Sequence, residues 1–562
     1  EMRLTSRWTL IERTLWLPSI SWARILLEDG NPALQEFASS SSDDFVPGNS
    51  ITINVGYNSE EESIFEGIIV KHGIKAIGSQ RAMLVVECKD ESVKMCARRK
   101  STYYNEVKDS DIIETLVNNY GLTPDIEATE YEHKEVVQYH STDWDFILSR
   151  AEVNGLLAVT EDNTVRMFKP ESAEDLDISL EYGNNVIEFE AEMNAEHQLA
   201  GVRATTWDYI NQDLISEEAE EPGFEELGNF AASDLADVLH DDANDLYHAG
   251  DLETDELRLW ASARLMRSRL SKIIGRASVN GDYNFKAGGL VKLEGFGDRF
   301  NGTAFVGGVR HHIIGGRWTT NLQLGLSSEL FCHRPDINAK PAGGVLPAIN
   351  GLHVGIVSQI EGDEQEGFHR ILVRVPYIAQ EEGGESQGIW ARLCNVFAGE
   401  ERGMLFRPEI DDEVLLGFIN DDPRDAVILG ALHSNKWPAP LEATDDNFEK
   451  GIITKGAMQL LFNDDTKVIT INTESGNSLK LSEEDGGIFI EDENGNKIEL
   501  TSDGMLLDSP GDINLKAAGD VNIEGTNVNI AASANLVADG GAGAELTSSA
   551  TATIKGSLVQ IN

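Results

Sequence analysis

The 562-residue chain is short of positive charge, aromatic side chains, cysteine and long apolar runs, and each shortage excludes something. Lys and Arg number 45 against 96 Asp and Glu, a formal net charge of −51 that argues against nucleic acid and anionic membrane surfaces as partners. No run approaches the roughly 18 apolar residues of a membrane span, so stable membrane insertion is not expected. The start shows no basic segment followed by an apolar stretch, so no signal peptide is expected and export needs another route. Cys88, Cys96, Cys332 and Cys394 fall in no metal-ligand spacing and are too few for a disulfide scaffold; buried, reduced thiols are the expectation. His-Glu-x-x-His, Gly-x-Ser-x-Gly and a P-loop lysine are all missing, and neither a metal nor a cofactor is expected. Beyond Trp437 there is no Trp, Tyr or His, and the aromatic residues are Phe448, Phe462 and Phe489 alone.

What this plain C-terminal stretch does have is a repeat. Apolar residues split by one polar residue recur as Ile469/Ile471, Leu479/Leu481, Ile488/Ile490, Ile498/Leu500, Ile513/Leu515, Val521/Ile523, Val528/Ile530 and Val559/Ile561. Such period-2 pairs, separated by Gly, Asn, Asp and Ser, describe very short strands joined by tight turns. Gly511 to Gly519, Ile513 to Val521 and Leu515 to Ile523 are each eight residues apart, the mark of a winding repeat. Ordering a residue costs on the order of 1.5 kcal/mol, and burying a Val, Leu or Ile returns only about 1.5–3 kcal/mol. With so few apolar positions one copy cannot stand alone. Identical chains in register solve this, because a repeat that matches itself closes around a symmetry axis. Residues 451–562 are therefore expected to form an intertwined β-helix of three chains, a homotrimer.

The front of the chain alternates as strands over 8–27 and 50–87, with Pro47-Gly48-Asn49, Asn58-Ser59 and His72-Gly73 as turns. Two helices follow. Ser110 is placed to cap one carrying Ile112, Ile113, Leu116 and Val117 and ended by Gly121, and Thr142, with Asp145 three residues on, caps a second that ends at Asn154-Gly155. Asp143 and Asp145 suggest a paired-carboxylate site, but acids in a first turn complement the helix dipole without any site. His133 and His140 read as surface or internally satisfied. Residues 216–256 are dominated by Glu and Asp and read as an exposed acidic loop with a short helix near 234–239. A long helix over 254–274, closed by Gly275, comes next, and strands return over 276–326. His311 and His312 are neighbours on a strand and point to opposite faces, which excludes a shared metal.

Residues 336–350, with Lys340-Pro341-Ala342-Gly343-Gly344, are a linker by composition. Five short strands then follow over 354–360, 370–375, 388–393, 413–419 and 426–432, which fits a small OB-type barrel. It lacks the basic groove with stacking aromatics that nucleic-acid binding needs.

Here the residues become specific. His369-Arg370-Ile371-Leu372-Val373-Arg374-Val375-Pro376, Trp390-Ala391-Arg392, the run from Arg407-Pro408 through Glu413-Val414-Leu415-Leu416-Gly417-Phe418, and Asp421-Asp422-Pro423-Arg424-Asp425-Ala426-Val427-Ile428-Leu429-Gly430 resemble the barrel of VgrG, the spike of type VI secretion systems. Phe45-Val46-Pro47-Gly48, Ser141 through Ile147 with Arg150-Ala151-Glu152, and His311 through Trp318 to Leu326 resemble the hub of VgrG and of late-control proteins of contractile-tailed phages. The resemblance implies a mainly β protein: two hub β-barrels with a few helices (1–180 with inserted helices, and 181–335 with the acidic loop and helix), the linker 336–350, an OB-fold neck over 351–440 and a trimeric β-helix needle over 451–562. It further implies a baseplate hub on a tail tube, a PAAR-like tip protein, effector cargo, and ejection by sheath contraction after assembly in the cytoplasm, in a type VI system or a free extracellular particle. The last histidine is His433, so a self-contained metal tip is not expected, and Leu558, Val559, Gln560, Ile561 and Asn562 become the candidate docking surface for a separate tip.

Two other classes fit a β-helical trimer. A glycan-cleaving tailspike needs two carboxylates about 5–10 Å apart; Glu483-Glu484-Asp485 and Glu491-Asp492-Glu493 supply acids, but among Gly and Asn where turns belong. Asp492-Glu493-Asn494-Gly495-Asn496 is calcium-like with its glycine one place early, so a hairpin turn is expected. A passive adhesin explains a rod but neither hub nor neck. No enzyme activity is expected.

Overall fold

In the computed structural model, which describes every residue except 1–7, 17–18, 59, 79–80, 240–241, 365–368, 379–387 and 562, the strand Gly302–Ile314 is the seam of the first half of the chain. It pairs with Gly289–Glu294, with Arg317–Leu324 and with Trp8–Trp16. From Trp8–Trp16 the sheet continues through Trp22–Glu28, Arg81–Lys89 and Glu60–Ile77 to Ser50–Tyr57; from Arg317–Leu324 it continues through Ile273–Asn280 to Val186–Met193, and Glu174–Glu181 adds to Gly289–Glu294. Eleven strands of the first half of the chain thus belong to one sheet with two apolar cores. One core gathers Ile25, Val55, Phe65, Leu84, Val86 and Trp318; the other gathers Leu180, Val279, Val291, Val306, Leu322 and Leu324. Ala304 to Val309 are buried at six successive positions, so both faces of the seam strand are covered. A Cβ on Gly307 would sit 2.2 Å from the Gly325 carbonyl, so the close approach at the Val306/Gly308 bulge requires glycine.

A third core holds the helices α1 (Asp109–Asn119) and α2 (Asp143–Val153) through Ile112, Ile113, Val117, Trp144 and Ile147. α2 is capped as its sequence indicates, with Thr142 Oγ1 accepting from the Asp145 amide at 3.0 Å. α1 starts two residues earlier than expected: Lys108 occupies the cap position without a side-chain bond, and Ser110 lies inside the helix, where its amide donates to Thr129 Oγ1 at 3.1 Å. His72-Gly73 is not a turn. Both residues lie inside the strand Glu60–Ile77, where His72 Nδ1 meets the Phe45 carbonyl at 2.9 Å, and Gly78 with φ +60° follows the strand end.

The acidic region is also more than a loop. Asp213–Glu218 and Asn244–His248 flank Val202–Asp208 in a three-stranded sheet, α3 (Ala232–Ala236) lies between them in sequence, and the sheet packs on α4 (Thr254–Leu270) through Val202, Ala204, Leu257, Ala261 and Leu265. Its inward residues alternate in period 2, but so many acids surround them that composition hides the pattern. α4 ends at Leu270, four residues short of expectation, and Gly275 lies within the strand Ile273–Asn280 rather than closing the helix. Of the cysteines, Cys88 is buried while Cys96, Cys332 and Cys394 are exposed, against the expectation of buried thiols, and none is in a disulfide. Among the described residues no helix is long and apolar enough to cross a membrane.

The chain divides into two packed units, Glu1–Gly351 with Gly417–Ala426 and Leu352–Leu416 with Val427–Asn562. His353–Gln359, Ile371–Arg374, Ile389–Leu393, Ala426–Ala431 and Glu413–Phe418 close a five-stranded barrel in that spatial order, each within two residues of the sequence expectation. Val357, Val373, Ala391, Val414 and Leu416 are fully buried there.

Candidate functional site: the C-terminal apolar face

Seven five-residue strands, from Glu449–Ile453 to Gly504–Asp508, form a regular antiparallel meander. Each strand is too short to bury anything by itself. The register nevertheless aligns its period-2 pairs into two continuous rows on one face. One row is Phe462, Ile469, Leu481, Ile488, Leu500 and Met505; the other is Ile452, Leu460, Ile471, Leu479, Ile490, Ile498 and Leu507. The opposite face is mixed, carrying Leu461, Thr470, Lys480, Phe489, Glu499 and Leu506. With neighbouring strands about 4.8 Å apart, seven of them extend the rows over roughly 29 Å. Within one chain this face is open: Ile471 keeps 46% of its surface exposed and Ile490 42%.

After Asp508 the repeat changes character. Residues 509–561 form no strand within the chain, and Ile513, Leu515, Val521, Ile523, Val528 and Ile530 are each at least half exposed. The predicted docking residues Leu558, Val559, Gln560 and Ile561 all lie exposed in this segment, while Asn562 falls outside the described residues.

Several acids of the repeat sit at or beside its turns, while Glu499 lies within a strand. Asp492 Oδ1 accepts from the Asn494 amide at 2.9 Å and the Asn496 amide at 2.8 Å, closing the hairpin that the sequence favours over a calcium loop, and hydrogen bonds from Asn496 hold its pKa below the ordinary carboxylate value. Glu483 pairs with Lys467 at 3.1 Å, Glu491 with Lys497 at 3.1 Å, and Asp485 with Lys480.

In the hub, carboxylates are engaged internally. Asp143 accepts from Tyr120 Oη at 2.7 Å, Gln138 Nε2 at 2.9 Å and Lys100 Nζ at 2.5 Å; burial alone would raise its pKa, but these bonds lower it. Asp145 receives the Thr142 hydroxyl at 2.6 Å, so the two do not act as a pair. Asp109, which carries no sequence signal beyond its place in a first turn, is 1% exposed at the centre of a larger cluster. It accepts from Arg150 Nε at 2.7 Å, Arg150 Nη2 at 2.9 Å and Asn154 Nδ2 at 2.8 Å, and lies 2.9 Å from His133 Nε2. Burial pushes its carboxyl up, and the hydrogen bonds of His133 and Arg150 outweigh that and hold it far below the ordinary range. A buried carboxylate engaged by this many internal donors reads as a structural clasp. His311 is buried against Thr320 Oγ1 at 3.0 Å and His312 is part-exposed, in keeping with opposite faces.

Comparison with known proteins places this architecture. Residues 11–315, more than half of the chain, match the Alg8 N-terminal domain, and residues 353–433 match the type VI secretion system/phage-baseplate injector OB domain. The type VI secretion system spike protein VgrG1b of Pseudomonas aeruginosa is 25% identical over 212 residues, covering 36% of this chain and 28% of that protein, and VgrG1a of the same organism is 23% identical over 189 residues, covering 32% and 29%. The chain thus spans about three-tenths of the length of these curated relatives. Among solved structures, the 43 kDa tail protein of prophage MuSo2 from Shewanella oneidensis aligns with a TM-score of 0.42 at 11% identity, over 58% of this chain and 94% of that one. The chain belongs to the Alg8 N-terminal domain family and, with an injector OB domain following that region in sequence, is similar to VgrG spike proteins.

Proposed function

We propose that this chain is one subunit of a homotrimeric hub and spike at the tip of a contractile injection machine, which pierces a target envelope by force and carries a PAAR-like tip protein or effectors, without catalysis of its own. The observation that carries this reading is the open two-row apolar face of the meander. Three copies that turn this face inward remove it from water, at about 25 cal/mol per Å² of apolar surface. They also supply strand partners for 509–561, which among the described residues forms no strand with its own chain. In this reading 1–180 and 181–335 form the hub, 336–350 the linker, 351–440 the neck and 451–562 the needle, with tail-tube and baseplate proteins behind the hub.

Leu558, Val559, Gln560, Ile561 and Asn562 are the proposed seat of the tip protein. Asp492, Glu483 and Glu491, members of the candidate acidic clusters, are spent on a turn and on lysine pairs, which favours a mechanical role over a glycan-cleaving tailspike. Kinship with VgrG spike proteins favours injection over passive adhesion. The subunit is assembled in the cytoplasm and leaves by ejection, from a type VI system or an extracellular particle. Electron microscopy of native particles bearing a labelled chain is the test: label at the tip of a sheathed tube is expected, and free trimers with no tube would overturn the reading in favour of the adhesin.

A further inference from the structure

A largely apolar, partly open cavity of about 440 Å³ lies between α2 and α4, walled by Leu156, Leu246, Trp260, Met266, Leu330 and Phe331. Its size is that of a small-molecule site, about 300–1,000 Å³. Two guanidiniums, Arg264 and Arg267, line it, in a chain whose formal net charge is −51. Their contacts are backbone carbonyls: Arg264 Nη1 donates to Ser328 at 3.3 Å, Arg267 Nε to Ser327 at 2.7 Å and Arg267 Nη2 to Glu329 at 3.3 Å. Among the described residues no carboxylate pairs with either.

The other charges on the wall are committed. Arg150 is tied to Asp109 and Glu256. Glu152 lies within electrostatic range of both arginines, but its oxygens accept the Phe331 amide at 2.7 Å and the Cys332 amide at 3.2 Å. Burial lowers the pKa of Arg264 and of Arg267, as expected for cations whose lost hydration is incompletely replaced. A guanidinium retains several in-plane donors after one or two carbonyl bonds and matches a carboxylate in bidentate geometry.

We propose that this cavity is a binding site for an apolar carboxylate, its hydrocarbon body among Leu156, Trp260, Met266 and Phe331 and its carboxylate on Arg264 and Arg267. Neutral hydrocarbon would leave the two cations without a directly paired carboxylate, Glu152 acting on them only at longer range, and an apolar cation would be repelled. A free fatty acid and the carboxyl end of an apolar peptide share this chemistry.

The exposed thiol of Cys332 on the cavity wall supplies the readout, with the exposed Cys394 of the other unit as internal control. The assembled full-length protein is treated with N-ethylmaleimide, and the labelling of each cysteine is followed by mass spectrometry. Decanoate, kept below micellar concentration, is expected to slow Cys332 about ten-fold at about ten times its dissociation constant and to leave Cys394 unchanged. Decyltrimethylammonium is expected to protect neither. Arg264→Gln with Arg267→Gln should abolish protection by decanoate; should that variant fail to fold, the wild-type comparison of the two amphiphiles still decides. Protection by an N-acetylated tri-leucine acid that exceeds protection by decanoate assigns the site to a chain end rather than a fatty acid. Equal protection by both amphiphiles, protection of Cys394 as well, or a Cys332 already inert in ligand-free protein overturns the proposal.

Discussion

Asp109 shows how much of the hub depends on one side chain whose importance no local pattern announces. Its carboxyl titrates near pH 4 in an unfolded chain and far lower in the fold. A carboxyl depressed in the folded state stabilises fully above its unfolded pKa and loses that contribution as pH falls toward its folded pKa. Asp109→Asn leaves Arg150 and His133 with a neutral acceptor and is expected to cost about 3 kcal/mol near neutral pH. The gap between wild type and variant, measured by urea unfolding at fixed protein concentration, should shrink as pH drops below about 4; a gap independent of pH would remove the charge from the explanation. Gly281 is a second such residue. In sequence Gly281-Asp282 is only a turn signal, yet a Cβ there would lie 2.0 Å from the Trp318 ring, and the Gly281 amide donates to the Trp318 carbonyl at 3.0 Å. Gly281→Ala is expected to cost about 1–3 kcal/mol by overpacking, read as a lower thermal midpoint.

At the scale of elements, the C-terminal meander is the plainest case of sequence deciding local structure and leaving its use open. Period 2 sets which residues share a face, and the six turns set the register. Ile471 lies mid-sheet in one apolar row, so Ile471→Asp puts a charge into the proposed threefold interface. It is expected to convert trimer to monomer in size-exclusion light scattering at micromolar concentration, whereas Glu499→Gln, on the opposite face, should leave the trimer intact. The Asp492 turn is an ordinary hairpin closure. Millimolar calcium is therefore expected to leave the thermal midpoint unchanged, and a calcium-dependent rise would restore the ion-binding reading. The acidic region is the converse case: its strand Val202–Asp208 buries only small side chains on α4, and a pattern carried by Val202 and Ala204 is faint beside so many acids.

At the scale of the whole molecule the prediction is one of mass and of an exposed end. Light scattering should give near three times 61.6 kDa, and a monomer would sink the spike reading. Removing 557–562 should abolish capture of a co-expressed PAAR-like tip protein while preserving the trimer, because that segment lies beyond the meander. Tip capture that persists would move the docking surface away from Leu558 to Asn562.

The sequence by itself determined whatever is local or self-repeating. The five barrel strands, the Thr142 cap and the paired apolar residues of the C-terminal meander follow from periodicity and capping chemistry, which act over a few residues, and the motifs of the barrel and of the first half of the chain were enough to indicate the kinship. Only the tertiary structure decided what joins across the chain. The sequence marks 8–27 and 276–326 as strand regions but says nothing of the pairing of Trp8–Trp16 with Gly302–Ile314, which forms across about 300 positions and joins eleven strands into one sheet. The same holds for Asp109, Arg150 and Glu256, and for the arginine-lined cavity between α2 and α4. A buried charge or an empty space is defined by neighbours from distant segments, and no spacing along the chain records them.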